Sequence, residues 1–321
     1  MNPEEPHNIK IGISSCLMGE NVRFDSGHKK NSYVTGILSD YFDFLPFCPE
    51  VSIGLGIPRE TIRLVNVDDE TRCVGTKTAD LDVTEQLYQS ADDQKSWHAE
   101  LSGYILKKDS PTCGMERVKL YKGIEKGGMA EKIAIGLYAK RLMENFPYLP
   151  IEEEGRLSDA HLRENFIQRV YIYSRWQTMA REGFTLAGLQ AFHAKHKYIF
   201  MSHNQTLGRT LGASLANSRQ GIDALAFEYL ASMMTLLKSN ASRKNHVNTL
   251  QHIQGYLKSD LDTGDKEELR ATIENYHQGL VPLIVPITLL RHHFRRHPKD
   301  YINNSFYLHP HPGQMMLLNH I

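Results

Sequence analysis

Residues 9–16 read Ile-Lys-Ile-Gly-Ile-Ser-Ser-Cys, and this stretch decides the fold of the first half of the chain. Three isoleucines alternate with smaller or polar residues, which is the period-two pattern of a β-strand with a buried face. The strand runs directly into Ser-Ser-Cys-Leu-Met-Gly, a polar, glycine-marked segment that predicts a loop. The pattern therefore predicts a strand that ends in a loop carrying Cys16.

The same arrangement recurs twice further along the chain. The apolar segment 42–47 leads into Cys48, and the segment 104–106 leads into a polar loop that contains Cys113. Both segments combine β-branched or aromatic residues with a proline- or glycine-marked end, as strands followed by loops do. Three cysteines thus follow three predicted strands.

Helical patterns lie between and after these strands. Thr84 can cap a helix whose apolar face includes Leu87, Ala91 and Leu101, and the segment Met129 to Asn145 repeats apolar residues at helical spacing. Strands separated by helices predict an α/β domain with a mostly parallel sheet. Sites in such sheets form outside the carboxyl ends of the strands, so we expect the three cysteines to lie close together.

The pattern changes near residue 155, after two prolines and an acidic run that ends at Gly155. We predict an α/β domain over residues 1–155 and an all-α domain over residues 156–321. Prolines at 282 and 286 predict a turn rather than a helix. The predicted helices of the second domain are Ser158–Ala180, Thr185–Phe200, Asp223–Lys238, Ser242–Lys258 and Lys266–His277.

Charge is divided unequally between the two predicted domains, although the net charge of the chain is zero. Residues 1–155 carry 18 Lys and Arg against 25 Asp and Glu, whereas residues 156–321 carry 19 against 12 and 13 of the 16 histidines. A basic second domain indicates an anionic partner. The candidate contacts to such a partner are Lys195, Lys197, Arg243, Lys244, Arg291, Arg295 and Arg296, which are RNA contacts if the partner is a tRNA.

Composition excludes several classes of protein. The chain has 321 residues, 41% of them hydrophobic, and no apolar run approaches the roughly 20 residues that span a bilayer. The acidic start of the chain has no apolar signal-peptide core, so we expect a cytoplasmic protein with no membrane partner. Four cysteines in a chain of this length then indicate reduced thiols rather than a disulfide framework.

Cys16, Cys48 and Cys113 share a polar setting at strand ends, which predicts one site with three thiolates. Three soft ligands are one short of closing a tetrahedral zinc site or of fully ligating a cubane cluster. Either centre would keep an open coordination position. A lone cysteine is most often a small buried hydrophobe, and this is the interpretation we give Cys73.

The motifs around these cysteines resemble a known family. Residues 1–155 resemble the thiouracil desulfidases, and residues 156–321 resemble the helical YbgA-like domain, a fusion similar to the bacterial tRNA 4-thiouridine desulfidases. The first resemblance rests on Ser15-Cys16-Leu17-x-Gly19, Val22-Arg23-Phe24-Asp25-x-Gly27, Cys48-Pro49-Glu50 and Ser110-Pro111-x-Cys113-Gly114. The second rests on Glu164-Asn165-Phe166, the segment 192–197, His252-x-x-Gly255-Tyr256-x-Lys258 and Pro282-Leu283-x-x-Pro286.

The resemblance implies a [4Fe-4S] cluster held by Cys16, Cys48 and Cys113, with the sulfur of a thiolated pyrimidine on the fourth iron. It also implies that Glu50 is the general acid/base and that Ser110 holds the pyrimidine or relays a proton. The residues alone leave simpler interpretations open. Glu50 could cap the loop after Cys48, and Ser110 before a proline is an ordinary turn residue.

The implied enzyme is a desulfidase, a hydrolase of a carbon–sulfur bond, that converts 4-thiouridine in tRNA to uridine and releases sulfide without net redox change. One alternative keeps the chemistry but takes free thiouracil or a thionucleoside as substrate. An alternative of another class is a non-catalytic iron–sulfur or zinc protein that binds RNA and senses oxidants. The oligomeric state has no signal in the sequence.

Overall fold

The computed structural model of the chain describes residues 9–78, 80–123, 128–217, 219–312, 315 and 317–319. The chain divides into two compact units, residues 1–159 and 160–321. The first unit contains strands and helices, and the described elements of the second are helical, which confirms the predicted fold class. The acidic start of the chain, residues 1–8, lies outside the described residues.

The first unit is built from short strands and short helices. Its strands are β1 (Ile9–Ser14), β2 (Phe42–Phe47), β3 (Ile62–Val67), β4 (Glu70–Gly75), β5 (Gly103–Leu106), β6 (Val118–Lys122), β7 (Ala130–Ala134) and β8 (Ile151–Glu153). Its helices are α1 (Ser32–Gly36), α2 (Pro49–Ser52), α3 (Thr84–Asp93), α4 (Lys95–His98) and α5 (Leu137–Asn145).

One sheet has the strand order β2-β1-β5-β8, and every neighbouring pair in it is parallel. The three predicted strands are therefore present and adjacent. Ile11 and Ile13 of β1 are fully buried in the centre of this sheet, as the alternating isoleucines predicted. Because the strands run in one direction, their carboxyl ends share one edge.

A glycine in β1 sets the packing over this sheet. Gly12 lies opposite Tyr104 of β5, and a Cβ atom at position 12 would overlap the Tyr104 ring and lie 2.8 Å from Leu101 Cδ1. Tyr104 itself is buried and packs edge-on against the rings of Trp97 and His98. Because position 12 has no side chain, the aromatic layer formed by Tyr104, Trp97 and His98 can pack closely on the sheet.

A second sheet, with the order β4-β3-β6-β7, was not predicted. Strands β3 and β4 form a hairpin whose two turn residues, Asp68 and Asp69, both have positive φ, as a type I′ turn requires. The predicted helix Met129–Asn145 is wrong in its first part, because residues 130–134 form β7 and pair with β6. Helix α5 begins only at Leu137.

The second unit consists of helices joined by short connections. They are α6 (Ala160–Glu182), α7 (Leu186–His203), α8 (Gln205–Asn217), α9 (Ile222–Lys238), α10 (Arg243–Gln254), α11 (Thr263–His277), α12 (Ile284–Arg296) and α13 (Asp300–Asn303).

Five of these helices were predicted, with ends that differ by a few residues. Thr185 and Ser242 act as N-caps, each accepting a hydrogen bond from the backbone N–H three residues later. Helix α8 was not predicted, and the predicted turn at the prolines is wrong because α12 begins there. Pro286 lies in the first turn of α12, where a missing N–H costs no intrahelical bond. None of the helices within the described residues is long and apolar enough to cross a membrane.

We expect Gly12→Ala to lower the free energy of unfolding of the first unit by about 1–3 kcal/mol, because the new methyl group overpacks the Tyr104 layer. Thermal unfolding followed by near-ultraviolet circular dichroism measures the change. The control is Gly36→Ala in α1, where an added Cβ meets nothing within 4 Å. Equal melting temperatures for the two variants would contradict the packing role of Gly12.

Candidate iron–sulfur site

Three adjacent strand ends bring the predicted cysteines to one cavity of about 290 Å³. Cys16 lies in the 3₁₀ turn directly after β1, Cys48 is the residue before α2, and Cys113 lies in the loop after β5. All three line the cavity, together with Glu50 and Ser110. The parallel order β2-β1-β5 explains why these residues meet at one cavity.

The three thiols lie close enough to influence one another. Burial raises the pKa of Cys16 to about 11 and raises the pKa of Cys48 and Cys113 as well. A charge on Cys48 raises the pKa of both other thiols further. Because three neighbouring thiolates repel one another, the deprotonated set needs a bound cation, which is what a metal centre supplies.

The three thiols share a cavity without forming a ready-made site for one ion. Within the described residues, no group of three or more His, Cys, Asp or Glu side chains could hold one metal ion. A single zinc with Zn–S bonds of about 2.3 Å draws its sulfur ligands to roughly 4 Å from one another. A cubane cluster instead offers a separate iron to each cysteine.

Cys73 lies apart from this cavity. It is fully buried in β4, in a core cluster with Leu64, Val83 and Leu87. Its backbone N–H donates to the Thr84 hydroxyl, which fixes the start of α3 against the second sheet. Cys73 is thus a packing residue, as the sequence indicated.

Glu50 is held by hydrogen bonds to both carboxylate oxygens. Its Oε2 accepts from Arg59 Nε at 3.0 Å and from Arg59 Nη2 at 2.6 Å, and its Oε1 accepts from the Thr112 hydroxyl at 2.8 Å. Arg59 also donates to the carbonyls of Gly56 and Val22, so four bonds fix its guanidinium. The carboxylate is therefore oriented at the cavity wall and does more than cap a loop.

Sequence reasoning missed Arg59 and Thr112. Thr112 lies next to Cys113 in the motif, at the position that the motif leaves open. Arg59 lies nine residues after Glu50, in a segment without periodicity or motif. Neither position carries a signal of its own, because the contact depends on the loops after β2 and β5 meeting at one edge.

Ser110 serves as a turn residue and also faces the cavity. Its Oγ accepts hydrogen bonds from the backbone N–H of Thr112 at 3.2 Å and of Cys113 at 3.1 Å. Both backbone donors point at the oxygen, so the hydroxyl hydrogen is available for a ligand in the cavity. Ser110 can therefore be a turn residue and also contact a ligand in the cavity.

The rim of the cavity is cationic. Its lining includes Arg23, Lys29, Arg59, Lys107 and Lys108, against the acidic Glu50 and Asp109. Arg59 is paired with Glu50 and Lys107 with Glu154, whereas the ammonium groups of Lys29 and Lys108 have no such pair among the described residues.

Phe24 provides an aromatic surface at the same rim. Its side chain is 38% exposed, and the Arg23 guanidinium lies 5.2 Å from its ring centre. Arg23 also pairs with Asp25 at 3.6 Å, so Lys29 and Lys108 are the lining cations without an ion pair among the described residues. Two such lysines beside an exposed ring suit a ligand that carries both phosphate and a flat base.

The candidate RNA contacts of the second unit are distributed over several elements. Lys195 and Lys197 lie on α7, Arg243 and Lys244 begin α10, and Arg291, Arg295 and Arg296 lie on α12. Arg291 also has a structural role, because its guanidinium donates to the carbonyl of Leu308. Burial lowers the pKa of Arg291. Arg243 stacks over Tyr276. These residues remain candidates for RNA contact.

Comparisons with known proteins match the two units separately. Residues 11–154 match the family model described as 2-thiouracil desulfurase, and residues 197–312 match a family described as protein of unknown function (DUF1722). The uncharacterized protein YbgA of Escherichia coli (strain K12) is 27% identical over 141 residues, which cover 43% of this chain and 83% of that protein.

One solved structure is also similar. The [4Fe-4S]-dependent thiouracil desulfidase TudS is 24% identical, with a TM-score of 0.38, over 47% of this chain and 94% of that one. The family models thus show similarity of residues 11–154 to 2-thiouracil desulfurases and of residues 197–312 to the DUF1722 family.

Proposed function

We propose that the protein is a [4Fe-4S]-dependent desulfidase that converts 4-thiouridine in tRNA to uridine and releases sulfide. The observation that carries the proposal is the convergence of Cys16, Cys48 and Cys113 on one cavity with Glu50 and Ser110 in its wall. The match of residues 11–154 to the 2-thiouracil desulfurase family supports the class of reaction.

Cys16, Cys48 and Cys113 would hold the cluster. Three thiolates on a four-iron cluster leave one iron without a protein ligand, and that thiophilic Lewis-acidic iron supplies a binding position for the sulfur of the substrate.

The reaction replaces sulfur by oxygen at a ring carbon and needs no electrons. Water adds its oxygen to the carbon, the carbon–sulfur bond breaks, and the two hydrogens of the water leave with the sulfide. Glu50 takes a proton from the water and returns it. Each carboxylate oxygen has two lone pairs, so Oε1 can accept a proton while it keeps the Thr112 hydroxyl.

Two other side chains orient these groups. Arg59 and Thr112 fix the plane of the Glu50 carboxylate, through two bonds to Oε2 and one bond to Oε1. Ser110 directs its hydroxyl hydrogen to a ring oxygen or nitrogen of the pyrimidine. Orientation of this kind is a large part of what an enzyme contributes to a hydrolysis.

The cationic rim favours a phosphate-bearing substrate over a free base. A thiouracil base is neutral and gains little from Lys29 and Lys108, which have no acidic partner among the described residues. A polynucleotide gains from each phosphate that a lysine neutralises. Exposing one stacked base costs a few kcal/mol, which such contacts can offset.

The three cysteine variants Cys16→Ala, Cys48→Ala and Cys113→Ala are each expected to abolish the broad visible absorbance of anaerobically reconstituted protein, because each removes one ligand. Cys73→Ala is the matched control and should retain the absorbance, since that thiol lies in the core. Iron and sulfide content measured on the same samples gives a second readout. Loss of the cluster in the Cys73→Ala variant would by itself overturn the assignment of the three ligands.

Arg59→Ala should lower turnover by up to roughly 100-fold and leave the cluster absorbance intact, because it releases Glu50 from its orientation. Sulfide release from thiolated tRNA measures turnover. Arg72→Ala is the control: Arg72 also pairs with a carboxylate, Asp82, but at an exposed position outside the cavity lining. Equal turnover in the Arg59→Ala and Arg72→Ala variants would contradict the role of Arg59 in orienting Glu50. Normal turnover in Glu50→Gln would contradict the role of Glu50 as the acid/base.

Substrate choice is tested with intact tRNA containing 4-thiouridine and with free 4-thiouracil. We expect a higher kcat/KM for the tRNA, falling steeply with salt, because counterion release accompanies each phosphate contact. The value for the free base should change little with salt. Nucleoside analysis of the treated tRNA identifies the product, and a preference for the free base at every salt concentration would contradict tRNA as the substrate.

A further inference from the structure

A cavity of about 360 Å³ in the second unit is lined by residues from two motifs that are distant in sequence. His193 and Lys197 come from the motif at 192–197 on α7, and His252 and Tyr256 come from the motif that begins at residue 252 at the end of α10. The desulfidase site uses none of these residues. Their convergence indicates that the YbgA-like motifs build a site of their own.

Helix α8 forms another part of the cavity wall and keeps it open. Its lining residues are Gly208, Arg209 and Gly212. A Cβ atom at position 212 would lie 2.8 Å from His193 Nε2, and one at position 208 would touch Phe200 at 3.4 Å. Glycine inside a helix costs about 1 kcal/mol relative to alanine. Gly208 and Gly212, one turn apart, therefore allow α8 to approach α7 closely beside the Nε2 atom of His193.

His193 presents an N–H donor at this edge. Its Nδ1 lies 2.9 Å from the hydroxyl of Tyr229, which is buried and has no other hydrogen-bond partner among the described residues. The hydroxyl therefore donates to Nδ1, and the proton of the neutral ring lies on Nε2. Burial lowers the pKa of His193 to about 4, so the ring is uncharged at neutral pH.

The remaining polar groups of the cavity are basic. Lys197, Arg209 and His252 contribute them, and the lining contains no Asp or Glu. No ion pair is found for Lys197 or Arg209 in the described part of the chain. A concave surface with directed donors and two unpaired cations is suited to a phosphate group.

Tyrosine rings complete the cavity. The Tyr198 hydroxyl donates to the Tyr256 hydroxyl at 3.2 Å, and the Tyr256 ring stacks on Tyr301 at 6.0 Å with planes 24° apart. Tyr256 is 40% exposed and lies at the cavity. A ring held in place on one side and exposed on the other is a stacking surface for a flat base.

We propose that this cavity binds one nucleotide, with its phosphate held by Lys197, Arg209 and the His193 Nε2–H and its base against Tyr256. The ligand chemistry is that of a nucleoside phosphate, either free or within an RNA strand. The site is separate from the cysteine cavity and requires neither a cluster nor a thiolated base, so its test does not depend on the desulfidase activity.

Binding of uridine 5′-monophosphate and of unmodified tRNA to the full-length protein tests the proposal at fixed salt. We expect Arg209→Ala and Lys197→Ala each to weaken binding at least about tenfold, because each removes a charge-assisted contact to the phosphate. Arg270→Ala is the matched control, because Arg270 is an exposed arginine that lines a different groove of the same unit.

Gly212→Ala gives an independent check, because its methyl group would push against His193 Nε2 without changing charge. It should weaken binding of the same probe while thermal unfolding shows that the helical unit remains folded. Gly255→Ala, where an added Cβ meets nothing within 4 Å, serves as its control.

The outcomes separate the sources of the nucleotide. Weaker binding of uridine 5′-monophosphate in the cavity variants supports a free nucleotide, and weaker binding of tRNA alone supports a nucleotide of RNA. Absence of binding by both probes, or equal affinity of the Arg209→Ala and Arg270→Ala variants, would overturn the proposal. Inorganic phosphate that competes as well as the nucleotide would overturn the role of Tyr256 in holding a base.

Discussion

The parallel alignment of β2, β1 and β5 is the constraint on which the first unit depends. Parallel strands place their carboxyl ends at one edge, so cysteines at positions 16, 48 and 113 meet although long segments separate them in the chain. Because Gly12 has no side chain, the Tyr104 ring can pack against β1. Helices α3 and α5 pack against each other. The cavity is a consequence of this alignment, because each of its loops begins where a strand of the sheet ends.

Within that edge, one hydrogen-bond network joins the proposed ligands to the proposed acid/base. Glu50 follows Cys48 by two residues, accepts from Thr112 next to Cys113, and pairs with Arg59, which in turn donates to the carbonyl of Val22. The loops after all three strands are thus tied to one carboxylate. Two arginine N–H groups donate to Oε2 and the threonine hydroxyl donates to Oε1, so the network fixes the direction of the carboxylate as well as its position.

Sequence patterns predicted many elements that bury one face in a core, such as β1 and α7. They failed where pairing partners decide the outcome. In the segment 129–145, Met129 and Ile133 are 83% and 66% exposed, and residues 130–134 form a strand because β6 offers an antiparallel edge. Helix α8 was missed because its glycines lower its intrinsic helix propensity, and α12 because Pro286 resembles a helix stop when it lies in a first turn.

The sequence by itself determined the α/β order of the first half, the helical second half and the excess of positive charge after residue 155. These properties follow from local periodicity and composition, which need no partner. Only the tertiary structure decided that Cys16, Cys48 and Cys113 line one cavity, that Arg59 and Thr112 hold Glu50, and that a second sheet surrounds Cys73. It alone also decided that His193, Lys197, Arg209 and Tyr256 enclose one cavity. Each of these contacts joins residues from separate elements, so its geometry exists only when strands and helices have packed.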